Sequence, residues 1–253
     1  MSTPELVGDL ATLPLGSHCL GLHVGEDEAA QHAAAFLAGA PTGQPAAYWV
    51  PDTPAAELCR QKVAARAPEH LGCVAILSHE QVGFVDGHLR PTQEIVEFAR
   101  AHPDGFTGGA ETISRYWGPG SIPEHLEYES WFEAQPRDRC RFLCPYDLRM
   151  IPPHLAPTVL RDLGAHHSHV ALSDSVEPAA ALLQLFVFPT EADVPTALLP
   201  VLDDAFAAGL LVSRGPPGEF ALSRAGGDLV QAWWDPVTHA PAAAPGLEVG
   251  TPS

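Results

Sequence analysis

Histidine and cysteine side chains close to predicted strands are the residues of this chain best suited to chemistry. Imidazole and thiolate groups are preferred ligands of zinc and iron, and a cysteine beside a histidine can act as a nucleophile. The candidate set comprises His18, Cys19, His23, Cys144, His166, His167 and His169. A metal-binding (zinc or iron) protein, or a cysteine-dependent enzyme that uses these residues, is therefore one interpretation of the sequence.

The spacing of these residues favours a different interpretation. His18 and His23 differ by five positions, so alternation along a strand would place them on opposite faces of a sheet. The chain has no CxxC pair and no recognised zinc-ligand spacing. We therefore expect His18 and His166 to form hydrogen bonds at the ends of the sheet, and Cys19 and Cys144 to pack as small apolar side chains.

The segment Cys144-Pro145-Tyr146-Asp147 lies just beyond a strand predicted over 141–144. Open α/β sheets bind ligands at the carboxyl ends of their strands, so this segment is a candidate binding loop. Tyr146 would stack on a ligand or form a hydrogen bond with it, and Asp147 would accept a hydrogen bond from it. In the alternative, structural interpretation, Asp147 caps the turn that follows.

Alternating apolar runs and helical patterns position these residues. The run 18–24 is followed by a helix that ends near Gly39, and the nearly all-apolar run 46–50 predicts a strand buried on both faces. The remaining predicted elements before residue 174 are helices over 55–67, 92–101 and 156–163 and strands over 73–77, 141–144 and 169–172. This alternation predicts an α/β domain over residues 10–174, with a mostly parallel sheet flanked by helices.

The residues after 174 follow another pattern. The predicted elements are helices over 178–186 and 200–208, strands over 210–213 and 219–222, and a last helix capped by Ser223. They suggest a small winged-helix-like α+β unit over residues 175–237, followed by a disordered tail over 238–253.

Charge argues against nucleic-acid binding by this unit. Residues 178–234 contain two basic and six acidic side chains, and a phosphate backbone would be repelled by that balance. We therefore do not expect direct nucleic-acid binding. We expect contact with a protein, either a regulatory partner or a second copy of the chain in a homo-oligomer.

The first strand-to-helix connection lacks phosphate-binding chemistry. Residues 24–28, Val-Gly-Glu-Asp-Glu, contain one glycine, three carboxylates and no GK[ST] sequence, so this loop would repel a triphosphate. No GxSxG nucleophile elbow is present either. The sequence therefore predicts a protein that is not an enzyme.

Composition indicates the cellular compartment. The chain has 253 residues, a formal charge of −18 and five scattered cysteines, which is typical of reduced thiols. Neither a secretion signal nor a stretch of about 20 apolar residues is present. We expect a cytoplasmic protein without a membrane contact.

An ordered set of short motifs over residues 10–174 resembles the MEDS domain, the methanogen and methylotroph sensory domain of the dichloromethane dehalogenase regulator. The motifs that carry this resemblance are His18-Cys19, Phe36-Leu37-Ala38-Gly39, Tyr48-Trp49-Val50-Pro51, Phe84-Val85-Asp86-Gly87, Gly105-Phe106, Trp117, Glu127-Tyr128-Glu129, Cys144-Pro145-Tyr146-Asp147 and His166. Two positions depart from the family pattern: Cys19 follows His18 directly, and Ser114 stands where a glutamate is frequent.

The resemblance implies a degenerate RecA-like core and a sensory role in signal transduction or transcription regulation, in which a small-molecule ligand or a regulatory protein partner is recognised. It names no ligand and no cofactor. The expected ligand-binding residues are His18, Cys19, Glu111, Trp117, Glu129, Cys144, Tyr146, Asp147 and His166. Population shift between two arrangements would then carry the signal to the C-terminal unit.

Overall fold

The computed structural model describes residues 3–70, 72–78, 83–85, 88–90, 92–111, 121–135, 138–215 and 218–234. Trp117, Ser114 and the tail over 238–253, about which the sequence analysis makes predictions, lie outside the described residues. No helix in the described ranges is long and apolar enough to cross a membrane.

A seven-stranded sheet forms the centre of the molecule, and every pairing within it is parallel. In spatial order its strands are β1 (Glu5–Leu6), β9 (His169–Ala171), β2 (His18–His23), β8 (Arg141–Asp147), β7 (Thr107–Ala110), β3 (Ala46–Val50) and β4 (Val74–Ser78). A separate antiparallel pair is formed by β5 (Gly83–Val85) and β6 (His88–Arg90). The predicted α/β fold with a mostly parallel sheet is confirmed.

Helices cover both faces of the sheet. They are α1 (Glu26–Ala38), α2 (Thr53–Arg66), α3 (Gln93–Ala101), α4 (Ser121–Glu133) and α5 (Ala156–His166). One buried hydrophobic cluster joins α1 and α2 to one face, and a second cluster joins α3, α4 and α5 to the other. Side-chain caps start two of these helices: at α2 the Asp52 side chain accepts a hydrogen bond from the Ala55 amide, and at α3 the Thr92 side chain accepts one from the Ile95 amide.

Strand β8 is longer than the sequence predicts. It continues from Arg141 to Asp147, so Cys144-Pro145-Tyr146-Asp147 belongs to the strand and does not form a loop beyond it. Pro145, which has no N–H to donate, is the reason that the prediction stopped early. In the sheet Pro145 pairs with Gly21 of β2. As a consequence Cys144 and Tyr146 point to the same face.

Strand β7 and helix α4 were not predicted at all. Residues 107–110, Thr-Gly-Gly-Ala, carry no apolar pattern, yet they form a buried strand between β3 and β8. A Cβ atom on Gly109 would lie 2.5 Å from a ring carbon of Tyr48, so the packing of this strand requires glycine. Helix α4 matters more for the site, because it carries Glu129.

The C-terminal elements, residues 178–234, pack on α5. They comprise α6 (Pro178–Gln184), α7 (Leu199–Ala207), the antiparallel pair β10 (Leu211–Ser213) and β11 (Phe220–Leu222), and α8 (Arg224–Trp233). Their order matches the sequence prediction, and Ser223 caps α8 as expected. The hydrophobic cluster that contains α4 and α5 continues into these elements. The winged-helix interpretation and the boundary near 174 stay predictions.

Candidate functional site

Four buried polar side chains meet between the sheet and helix α4. His18 is the first residue of β2, Cys144 is central in β8, Glu129 projects from α4, and His167 lies between α5 and β9. All four residues are buried, and the candidate donor atoms lie within 4.8 Å of one another. We call these four side chains the Glu129 cluster.

The Glu129 carboxylate is the centre of this cluster. Its Oε2 atom lies 3.1 Å from His18 Nε2 and 3.5 Å from His167 Nε2, and its Oε1 atom accepts a 2.6 Å hydrogen bond from the Tyr146 hydroxyl. The Cys144 Sγ atom lies 3.2 Å from His18 Nε2. A fully buried carboxylate is thus surrounded by two imidazoles, a phenol and a thiol.

The cluster favours a charged carboxylate and neutral thiol and phenol groups. Burial by itself would raise the pKa of Glu129, but the neighbouring imidazoles of His167 and His18 hold that pKa well below its usual range. Burial, reinforced by the Glu129 charge, raises the pKa values of Cys144 and Tyr146 well above their usual ranges. At neutral pH Glu129 is therefore the one negative group of the set.

The hydrogen bond made by Nδ1 of His167 determines whether Nε2, which faces the cluster, carries a proton in the neutral ring. Nδ1 lies 2.7 Å from the Leu163 carbonyl oxygen, which can only accept, so Nδ1 carries a proton and donates it. Nε2 of this 1 % exposed residue lies 3.5 Å from Glu129 Oε2, without the geometry of a well-formed hydrogen bond. In a neutral ring Nε2 therefore directs a lone pair towards the Glu129 carboxylate.

A second group of polar residues lies at the carboxyl ends of the strands. His23 ends β2, Asp147 ends β8 and Glu111 follows β7. The His23 Nε2 atom is 3.9 Å from Glu111 Oε1, and Asp147 accepts a hydrogen bond from the Gly25 amide while it binds the Arg149 guanidinium at 3.0 Å. These contacts make Asp147 a structural acceptor at the start of the β2–α1 connection.

Carboxylates of the chain itself accept hydrogen bonds from the backbone amides of the β2–α1 connection. Glu28 accepts a 2.6 Å hydrogen bond from the Val24 amide, and it also accepts hydrogen bonds from the Ser173 hydroxyl and the Asp174 amide. The Gly25 amide donates to Asp147. Backbone N–H groups at this place would otherwise be available to an anionic ligand.

His23 makes the stability of the fold dependent on pH. Burial lowers its pKa from 6.5 to about 4, against the attraction of Asp147. Between these values the unfolded chain binds a proton that the folded chain does not, so stability falls as pH falls through this window. We expect a loss of about 3 kcal/mol in the free energy of unfolding from this group between pH 7 and pH 4.

Urea denaturation of the wild type and the variant His23→Gln at both pH values would measure this loss. The variant should lose about 3 kcal/mol less than the wild type between pH 7 and pH 4. The exposed His154 provides the control, since His154→Gln should keep the wild-type pH dependence. Equal pH dependence in all three proteins would contradict the assignment.

The structure brings together four of the predicted ligand-binding residues and separates the others that it describes. His18, Glu129, Cys144 and Tyr146 lie in or against the Glu129 cluster. Cys19 packs on the opposite face with α1 and α2, where burial raises its pKa to about 12. Glu111 and Asp147 belong to the group at the carboxyl strand ends, and His166 is the partly buried last residue of α5.

The place of the cluster also differs from the prediction. The sequence predicts a ligand at the carboxyl ends of the strands, whereas His18 begins β2 and His167 precedes β9. His167, not His166, supplies the third ring, and the sequence considered His167 only as part of the metal-binding alternative. The run His166-His167-Ser168-His169 gives no indication of which imidazole turns inward.

Comparison of the chain with protein-family models, with curated protein sequences and with solved structures found no match.

Proposed function

We propose that this protein is a non-catalytic sensory protein of signal transduction. Its receptor site is the Glu129 cluster, and its output is contact with a regulatory partner, through which transcription or a signalling pathway responds. The observation that carries the proposal is that one helix, α5, joins the receptor site to the C-terminal elements.

Helix α5 contacts both regions closely. His167 follows its last residue directly, and the ring of His167 stacks 4.1 Å from that of His18. On its other side a Cβ atom on Gly164 would lie 2.4 Å from the Val187 carbonyl oxygen, so helix and C-terminal backbone touch. A shift of His167 would therefore displace packed backbone in the C-terminal elements, because close-packed interiors transmit small shifts.

Arg161 strengthens the same contact. Its guanidinium donates a hydrogen bond to the Phe220 carbonyl of β11 and lies 5.2 Å from the centre of the Phe186 ring. Cation–π contacts of this kind add to the packing between elements. Helix α5 is thus held to the C-terminal elements by a charge-assisted hydrogen bond, a cation–π contact and a glycine contact.

Two features favour sensing over catalysis. Cys144, the one thiol of the cluster, has a raised pKa and is buried, whereas nucleophilic cysteines act as thiolates. The amides of Val24 and Gly25 bind the chain's own carboxylates, so the β2–α1 connection offers no cradle for the phosphates of a nucleotide.

Transcript profiling of the host organism tests this proposal. We would compare a deletion strain with strains that carry Glu129→Gln or, as the matched control, Glu127→Gln on the exposed side of α4. The Glu129→Gln strain should reproduce the transcript changes of the deletion at equal protein level, and the control strain should match the wild type.

Two results would overturn the regulatory role. One is a deletion that leaves transcript levels unchanged, and the other is a Glu129→Gln strain that behaves as the wild type while the deletion does not. If Glu129→Gln does not accumulate, Tyr146→Phe replaces it, because that change removes the hydroxyl that donates the 2.6 Å hydrogen bond to Glu129 and keeps the aromatic ring.

A further inference from the structure

The geometry points to a metal site: we propose that His18, Glu129, Cys144 and His167 bind one divalent metal ion of the zinc type. This inference names the ligand of the receptor site proposed above. It rests on the proposed function only for the location of that site. Three observations support it: the positions of the donor atoms, the surroundings of His167 Nε2, and the charges of the four side chains.

The donor atoms have the separations that a single ion requires. Zinc bonds of about 2.0–2.3 Å to N, O and S atoms imply neighbouring donors roughly 3.3–3.7 Å apart in a tetrahedron. The observed separations are 3.1 Å from His18 Nε2 to Glu129 Oε2, 3.2 Å from His18 Nε2 to Cys144 Sγ, and 3.5 Å from His167 Nε2 to Glu129 Oε2. All four donor atoms lie within 4.8 Å of one another, so binding a single ion would draw the more distant pairs closer together.

His167 needs a positive charge at this position. Its Nδ1 proton is donated to Leu163, so a neutral ring places the Nε2 lone pair 3.5 Å from an oxygen of the Glu129 carboxylate. Two acceptors facing each other in a buried place repel, and a buried unpaired acceptor costs free energy. A metal ion between them removes both costs, as would a proton on Nε2, but the metal ion alone would also bind the Cys144 sulfur atom, which lies 3.2 Å from His18 Nε2. An imidazole that donates through its other nitrogen is also the usual state of a histidine bound to metal.

The charges of the set balance around a divalent ion. Coordination would require the Cys144 thiol to lose its proton, which gives one negative charge beside that of Glu129. Two negative ligands and two neutral imidazoles bind M²⁺ with no net charge, which suits a site that is closed to water. The Tyr146 hydroxyl, 2.6 Å from Glu129 Oε1, would orient the carboxylate from outside the coordination shell.

The ligand set favours zinc and a closed site. Mixed imidazole, thiolate and carboxylate donors in tetrahedral geometry are typical of Zn²⁺. Four protein ligands leave no open position for a bound water, in contrast to catalytic zinc sites. A metal bound in this way would act on conformation, and its presence or absence would change where His167 sits at the end of α5.

Metal analysis of the full chain tests the inference. The protein would be produced in zinc-supplemented medium, purified without chelator and analysed by inductively coupled plasma mass spectrometry. We expect one zinc ion per chain. Protein stripped of metal under denaturing conditions and refolded with Co²⁺ should show the intense visible bands of tetrahedral cobalt and a thiolate-to-cobalt band in the near ultraviolet.

Matched variants separate the site from adventitious binding. Cys144→Ser should abolish the thiolate band, and the exposed Cys73→Ser should retain it. His167→Asn should weaken zinc binding by more than the roughly 10–100-fold loss expected for the outer-shell change Tyr146→Phe. His166→Asn, one residue away, should bind zinc as the wild type does.

The metal site is wrong if the refolded wild type binds neither zinc nor cobalt, or if Cys144→Ser and His167→Asn bind zinc with unchanged affinity. Circular dichroism identifies a variant that does not fold, and Glu129→Gln then takes its place. A metal-free protein whose Glu129→Gln strain still shows altered transcripts overturns the metal and leaves the regulatory role. If the protein binds zinc but deletion of its gene changes no transcript level, the regulatory role is overturned and the metal site stands.

Discussion

Replacing Glu129 by alanine is expected to lower the free energy of unfolding by about 3–5 kcal/mol, measured by urea denaturation with chelator present. The carboxylate is fully buried, it accepts a hydrogen bond from the Tyr146 hydroxyl, and it lies 3.1 Å and 3.5 Å from the Nε2 atoms of His18 and His167. Its removal leaves these polar groups in a dry interior without their common partner. The cost of such a removal exceeds what the intact pair contributes to stability.

Glu127→Ala provides the control for this effect. Glu127 lies on the same helix with its side chain exposed, and its replacement should change the free energy of unfolding by no more than about 0.5 kcal/mol. If the two variants are equally stable, Glu129 does not organise the cluster and the account of the site is wrong.

The second large effect is expected at Arg141, where Arg141→Met should destabilise the fold by about 3 kcal/mol. This arginine is 1 % exposed, and its guanidinium donates to the backbone carbonyls of Leu13 and Phe36 and to the Thr107 hydroxyl. Burial lowers its pKa to about 10, so it remains charged at neutral pH. Methionine leaves the buried Leu13 carbonyl without a donor, at about 1–3 kcal/mol, and it removes the hydrogen bonds to Thr107 and to the Phe36 carbonyl, which keeps its bond from the Gly39 amide.

Arg139→Met is the matched control, because Arg139 is two residues away, its side chain is exposed, and its ion pairs with the described residues Asp104 and Asp138 are exposed as well. Exposed ion pairs contribute about 0–1 kcal/mol, so this variant should unfold close to the wild-type midpoint. A loss at Arg141 no larger than that at Arg139 would contradict the role of the buried guanidinium in joining the N-terminal segment to β8.

Local patterns predicted the alternating elements well. Strands β2 and β3 are short apolar runs, and helical patterns follow them in α1 and α2, so the apolar pattern alone predicts these elements. Alternation along β2 also predicts that His18 and His23 point to opposite faces of the sheet. These predictions needed only information from neighbouring residues.

The elements that the sequence pattern does not predict depend on contacts with residues distant in the chain. Pro145 is a strand-ending signal by itself, and only its pairing with Gly21 keeps it in β8. Strand β7 consists of two glycines between a threonine and an alanine. It forms a strand because β3 pairs with one of its edges and β8 with the other. The contact between Glu129 and His167 arises when α4 and the end of α5 pack on the same face, which sequence spacing does not encode.

Hydrogen–deuterium exchange of the full chain tests most directly whether the Glu129 cluster and the C-terminal elements are coupled. Wild type, Glu129→Gln and Glu127→Gln would be compared peptide by peptide. We predict that Glu129→Gln speeds exchange in α4, in α5 and in residues 178–234, while Glu127→Gln matches the wild type. Faster exchange confined to β2, β8 and α4, with α5 and residues 178–234 unchanged, would contradict the account.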